Sequence, residues 1–131
     1  MPNNPPSTIS RATTYFMGAL FLGLGLITLI HPQIMTRYGL PTDTTHAVMS
    51  IRALIAGAEL GLGTLMLLGG RVGISIRSRL WTALFVFGGI ILARVTAMLI
   101  AEETIPQMII RELIAEIIIV GIISFGLNKA R

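Results

Sequence analysis

The sequence predicts an all-α fold, a polytopic membrane protein in which four transmembrane helices form an antiparallel bundle. Four long apolar stretches, a scarcity of charge and a one-sided distribution of basic residues lead to that prediction. Hydrophobic residues make up 53% of the 131 residues and charged residues only 12%, against about 25% charged in soluble domains. The mean hydropathy of +0.82 is spread over stretches close to the roughly 20 residues that a helix needs to cross about 30 Å of hydrocarbon.

Residues 1–12 read as a disordered lead, because MPNNPPSTIS holds two adjacent prolines and no charged side chain. Residues 13–131 read as a single four-helix membrane domain. Its first span, about 13–30, ends at His31-Pro32 with no small-x-small cleavage site, so it is expected to be retained and not removed as a signal peptide. The connection HPQIMTRYGLPTDTTHA mixes Ile34, Met35 and Tyr38 with Arg37, which suits a short segment at headgroup level broken by Gly39 and Pro41.

Thr42, Asp43, Thr44 and Thr45 offer N-cap oxygens for a second span at about 46–68, which Gly69-Gly70 stops. Arg71, Arg77 and Arg79 then occupy a basic connection, and Trp81 opens a third span, about 80–100, at an interfacial position. Glu102, Glu103 and Pro106 turn the chain into a fourth span, about 107–127. The second span, carrying both charge and glycine, is expected to be the most enclosed and the first the most lipid-facing. Ala53, Gly57 and Gly61, and likewise Gly89, Ala93 and Ala97, form small-residue steps that predict close helix packing.

Orientation follows from the short loops. Arg11, Arg71, Arg77, Arg79, Lys129 and Arg131 fall on one side of a four-span arrangement, whereas the other side holds Arg37, Asp43, Glu102 and Glu103. The positive-inside bias therefore predicts an inner or plasma membrane protein with both termini cytoplasmic. The net charge of +4 and pI near 10.7 are topological in this reading, since the basic residues do not cluster with aromatics as a nucleic-acid surface requires.

Six charged residues remain within the spans: Arg52, Glu59, Arg94, Arg111, Glu112 and Glu116. Each costs about 2.5–3.5 kcal/mol at a helix centre, so they are expected to face one another or a wet cavity. Seven residues separate Arg52 from Glu59, which on a regular helix leaves them within about 20° of one another. Glu112 and Glu116, at i and i+4, share a face. Arg111 points away and sits near the boundary, where it can snorkel.

Arg52, Glu59, Arg94, Glu112 and Glu116 are therefore the candidate ligand-binding residues of an outward-opening pocket for a lipid or other amphiphilic small molecule. In that pocket Arg52 and Arg94 hold an anionic or carbonyl group, and Glu59 is the deep proton donor or acceptor. One alternative is a membrane-embedded isomerase or cyclase using Glu59 and Glu112 as its catalytic acid/base pair. Another is a structural or accessory subunit in which the charges only pair. With no cysteine there is neither a thiolate nor a disulfide, and neither a nucleotide loop nor an H-E-x-x-H pattern occurs. No metal and no cofactor are predicted, and His31 and His46 are read as capping or interfacial residues. The expected partners are the bilayer, the amphiphile and, if the chain oligomerises, further copies of itself.

The stretches IRALIAGAELGLGTLMLLGG and GGIILARVTAMLIAEETIPQMIIRELIAEII resemble domain of unknown function 4345, a family of small four-helix membrane proteins, and more distantly the DoxX-like group. The resemblance runs from His31-Pro32 onward and rests on Arg52, Gly57, Glu59, Arg94 and Glu112. It implies the four-helix architecture and the polar constellation, and no substrate. Glu116 is a second carboxylate beyond that pattern and leaves open which fourth-span Glu answers Arg52 or Arg94.

Overall fold

The computed structural model describes residues 7–102 and 104–130; the first half of the expected lead, together with Glu103 and Arg131, lies outside the described residues. The described residues are helical with no strand. They fall into two compact units, one of residues 7–13 with 75–102 and 104–130, the other of residues 14–74.

Helix α1 spans Thr8–Ile30 and so starts about five residues before its expected place. The cause is Ser7, whose hydroxyl accepts from the Ser10 amide at 3.2 Å and satisfies a first-turn donor. Residues 8–12 are therefore helix and not part of the lead.

In the unit of residues 14–74, α1 is followed by a 3₁₀ segment, Pro32–Tyr38, which Gly39 closes with φ 73°. That left-handed conformation is available to glycine without a Cβ penalty. Thr44, one of the four expected caps, accepts from the Ala47 amide at 3.1 Å. It starts α2, Thr45–Ser50, which passes into a π-helical segment, Ile51–Ala56, and then into α3, Gly57–Leu68. A 3₁₀ turn, Gly69–Val72, carries the run past the expected stop at Gly69-Gly70, and Gly73 at φ 83° ends it.

α3 runs antiparallel to α1, and glycine sets the separation. A Cβ added to Gly63 would lie 2.8 Å from the Leu22 backbone nitrogen, and one on Gly25 would lie 2.9 Å from that of Leu60. The expected close-packing positions differ from these, since a Cβ at Gly61 or Gly89 would meet nothing within 4 Å. Small-residue spacing alone cannot tell which face of a helix meets a neighbour.

In the other unit, Ser75 caps α4, Ile76–Ile100, by accepting from the Ser78 amide at 3.0 Å. The cap draws Arg77 and Arg79 out of the expected loop and into the first turn. After the turn at Pro106, α5 spans Gln107–Asn128 and returns antiparallel to α4. At its last turn a Cβ on Gly126 would lie 2.8 Å from the Thr13 side chain, so the start of α1 packs against the end of α5 within this unit.

Three helical runs are long and apolar enough to cross a membrane: Thr8–Ile30, Thr45–Val72 and Ile76–Ile100. That pattern is the mark of a membrane protein. α5 has the length, but Arg111, Glu112 and Glu116 interrupt its apolar character. Enclosure runs opposite to expectation, with 39% of the apolar stretch buried in the first run, 22% in the second and 11% in the third. The buried face of α1 carries the hydroxyl residues Ser10, Thr13, Thr14 and Thr28 together with Met17 and Phe21. Along α4 the side chains of Phe85, Leu92 and Leu99 are 69–80% exposed at seven-residue spacing, an apolar stripe suited to lipid contact.

Candidate functional site: two intramembrane polar groups

The α4–α5 hairpin brings together three of the predicted residues. Antiparallel pairing sets Arg94, in the second half of α4, opposite the first turns of α5, where the i, i+4 spacing puts Glu112 and Glu116 on one face. Arg94 Nε donates to both Glu116 oxygens, at 3.0 and 3.2 Å, and Nη2 donates to Oε1 at 2.6 Å. Nη1 lies 3.0 Å from Glu112 Oε2, an ion-pair distance reached without hydrogen-bond alignment.

This answers the question of which carboxylate meets Arg94: both do, and Glu116 takes the fork. All three side chains are at most 22% exposed, so their mutual attraction is screened less than that of a surface pair. With both carboxylates ionised, the cluster carries one formal negative charge. Arg111, one step around the helix from Glu112, is exposed and stands outside the cluster, as its phase on α5 predicts.

A groove of about 560 Å³ opens beside this cluster at the loop end of the hairpin. Its walls include Ala97, Met98, Ile105 and Ile109, and among the described residues Arg94 is the one charged side chain lining it. Ala93 and Ala97, expected to pack a neighbouring helix, instead leave room for the groove. An apolar cleft with a single convergent polar cluster is the usual chemistry of a small-molecule site.

Arg52 and Glu59 belong to the unit of residues 14–74, and each is engaged by α1. Arg52 Nε donates to the Leu29 carbonyl at 2.9 Å. That oxygen is among the last four of α1, which have no partner within the helix, so Arg52 acts as a C-terminal cap from a different helix. The Thr28 side chain lies beside the Glu59 carboxyl, while Glu59 Oε2 is buried with no hydrogen-bond partner.

Among the described residues Arg52 and Glu59 form no ion pair. The π segment is the reason their seven-residue spacing misleads. The Gly57 amide reaches back five residues to the Arg52 carbonyl, which widens the turn and rotates Arg52 relative to Glu59 by a fraction of a turn. Sequence reasoning missed Thr28 and the Leu29 carbonyl as partners. A lone Thr near the end of an apolar helix was the only available signal, and it is a weak one.

Among the described residues no three His, Asp or Glu side chains converge to hold a metal ion. No protein-family model matches the chain, and no curated protein or solved structure matches it.

Proposed function

We propose that this chain is a small multi-pass membrane protein that holds an amphiphilic small molecule or lipid in the α4–α5 groove, its polar group against Arg94, Glu112 and Glu116. In this reading α5 crosses the bilayer as a fourth span, its charges neutralised by Arg94, and the fold is the four-helix bundle of the family the chain resembles. Both termini are cytoplasmic and the groove opens outward. The observation that carries the proposal is the groove itself, about 560 Å³ of mainly apolar wall with Arg94 among its lining residues.

The charge balance refines the ligand. Arg94 directs Nε and Nη2 to Glu116 and pairs Nη1 with Glu112, and the cluster retains a carboxylate surplus. It therefore favours a neutral group that donates hydrogen bonds, such as a hydroxyl, over the anion expected from the sequence. Monoacylglycerol and fatty acid of the same chain length are suitable probes. Native mass spectrometry of the full chain is expected to retain monoacylglycerol in preference to fatty acid. Ala97→Phe, which fills the groove and keeps all three members of the ion cluster, is expected to lower that retention about tenfold, the equivalent of 1.4 kcal/mol. Equal retention by the wild type and Ala97→Phe would contradict the groove as the site.

A second reading is favoured by the 2.6 Å bond between Arg94 and Glu116: the cluster fixes the register of the hairpin and binds nothing. A buried ion pair adds little net stability over an apolar pair but specifies one arrangement. The two readings separate on whether filling the groove changes anything besides stability.

A further inference from the structure

At the opposite end of the hairpin, a second groove of about 290 Å³ is lined by Arg77, Trp81, Leu84, Ser124, Leu127 and Asn128. We propose that this groove binds the phosphate of an anionic phospholipid, with Arg77 as the principal contact.

Arg77 is exposed and has no ion-pair partner among the described residues. The sequence holds no Asp or Glu between residues 60 and 101, nor between 117 and 131. In this unit Glu112 and Glu116 are committed to Arg94, and Glu116 precedes Asn128 by twelve residues, about 18 Å of helix. That distance exceeds a Debye length of roughly 8 Å at physiological salt, so no described carboxylate of the hairpin neutralises this end. Lys129, whose Nζ sits 5.9 Å from the centre of the Phe125 ring, adds a second positive charge one residue beyond the groove.

The remaining lining matches the rest of a phospholipid. Trp81 stacks on Phe85 with ring centres 5.5 Å apart and is 40% exposed, the position of an indole at the headgroup boundary. Ser124 and Asn128 bring side-chain hydrogen-bond donors for phosphate oxygens, and a guanidinium fits two of those oxygens at once. Leu84, about one turn deeper than Trp81 on α4, continues the wall toward the acyl region. Basic grooves between membrane helices are a recurring form of anionic-lipid site. The proposal needs the chain to be in a membrane but does not depend on the groove at the other end of the hairpin.

Trp81 is the only tryptophan in the sequence, so its fluorescence reports on the site directly. The full chain is reconstituted in phosphatidylcholine vesicles containing either dibrominated phosphatidylglycerol or dibrominated phosphatidylcholine, and quenching gives the relative binding of each lipid beside Trp81. The wild type is expected to prefer phosphatidylglycerol about fivefold, the worth of one basic residue against anionic lipid. Arg77→Gln is expected to abolish the preference, whereas Arg77→Lys, and Arg11→Gln on the exposed start of α1, are expected to keep it. Equal quenching by the two lipids in the wild type would overturn the proposal, as would a preference that survives Arg77→Gln. Displacement of phosphatidylglycerol by millimolar inorganic phosphate would also overturn it, because the site would then recognise free phosphate.

Discussion

Arg52 shows how a charged residue inside an apolar run can be legible as unusual and illegible in its role. Its cost in lipid marks it from the sequence, but its partner is a backbone carbonyl, and a carbonyl leaves no signature in side-chain spacing. The 2.9 Å bond to Leu29 ties the end of α1 to the start of the second membrane run. Arg52→Met is therefore expected to lower stability by about 1 kcal/mol, the typical net worth of one hydrogen bond. It should also raise amide hydrogen exchange selectively over the last turn of α1 and the 3₁₀ segment after it. Exchange unchanged there would mean that the guanidinium contributes nothing to the cap. Thr28 and Glu59 follow the same pattern, since a buried carboxyl is evident from the sequence while the hydroxyl that meets it is not.

Elements were legible where their signals are local. Thr44, Gly39 and Pro106 bound helices at or near the expected positions, because caps and breakers act within a few residues. The early starts of α1 and α4 trace to Ser7 and Ser75, two more local signals whose side chains accept from the third residue on. What periodicity could not anticipate was the π segment, whose extra residue per turn moves Arg52 out of phase with Glu59. The hairpin, by contrast, was half visible. Glu112 and Glu116 share a face by spacing alone, while the choice of Arg94 as their common partner depends on the register of two helices.

That register gives a prediction at the scale of the element. Arg94→Met alone leaves two carboxylates uncompensated and is expected to destabilise the hairpin by about 3 kcal/mol. Glu116→Leu alone strands part of the guanidinium fork and should cost less, because Glu112 still faces Arg94. The double variant is expected to recover the part of the loss that belongs to Glu116, since Glu112 stays unpaired, and a thermal-unfolding cycle on the full chain measures the coupling. Strict additivity of the two single changes would show that the ion pair does not hold the hairpin.

For the whole molecule, composition alone set the membrane class, and three helical runs have the length and apolarity to cross a bilayer. The fourth crossing is the step at which sequence and hydropathy part. α5 carries three charged residues in its first half, and it can enter lipid only if Arg94 answers its carboxylates from the neighbouring helix. The membrane topology and the ion cluster thus stand together. If α5 crosses, the groove at the α4–α5 turn and the groove beside Arg77 lie at opposite faces of the bilayer, and the hairpin presents a polar cluster to one side and a basic, aromatic end to the other.

The absence of cysteine in the sequence makes the direct measurement simple. Single cysteines are placed at Thr104, in the turn between α4 and α5, and at Lys129, just beyond α5, and intact cells are treated with a membrane-impermeant maleimide. Labelling is expected at position 104 from outside and at position 129 only after the membrane is opened. Both positions reacting from the same side would contradict the fourth crossing, because α5 would then lie along the surface and the Arg94 cluster would have no bilayer to cross.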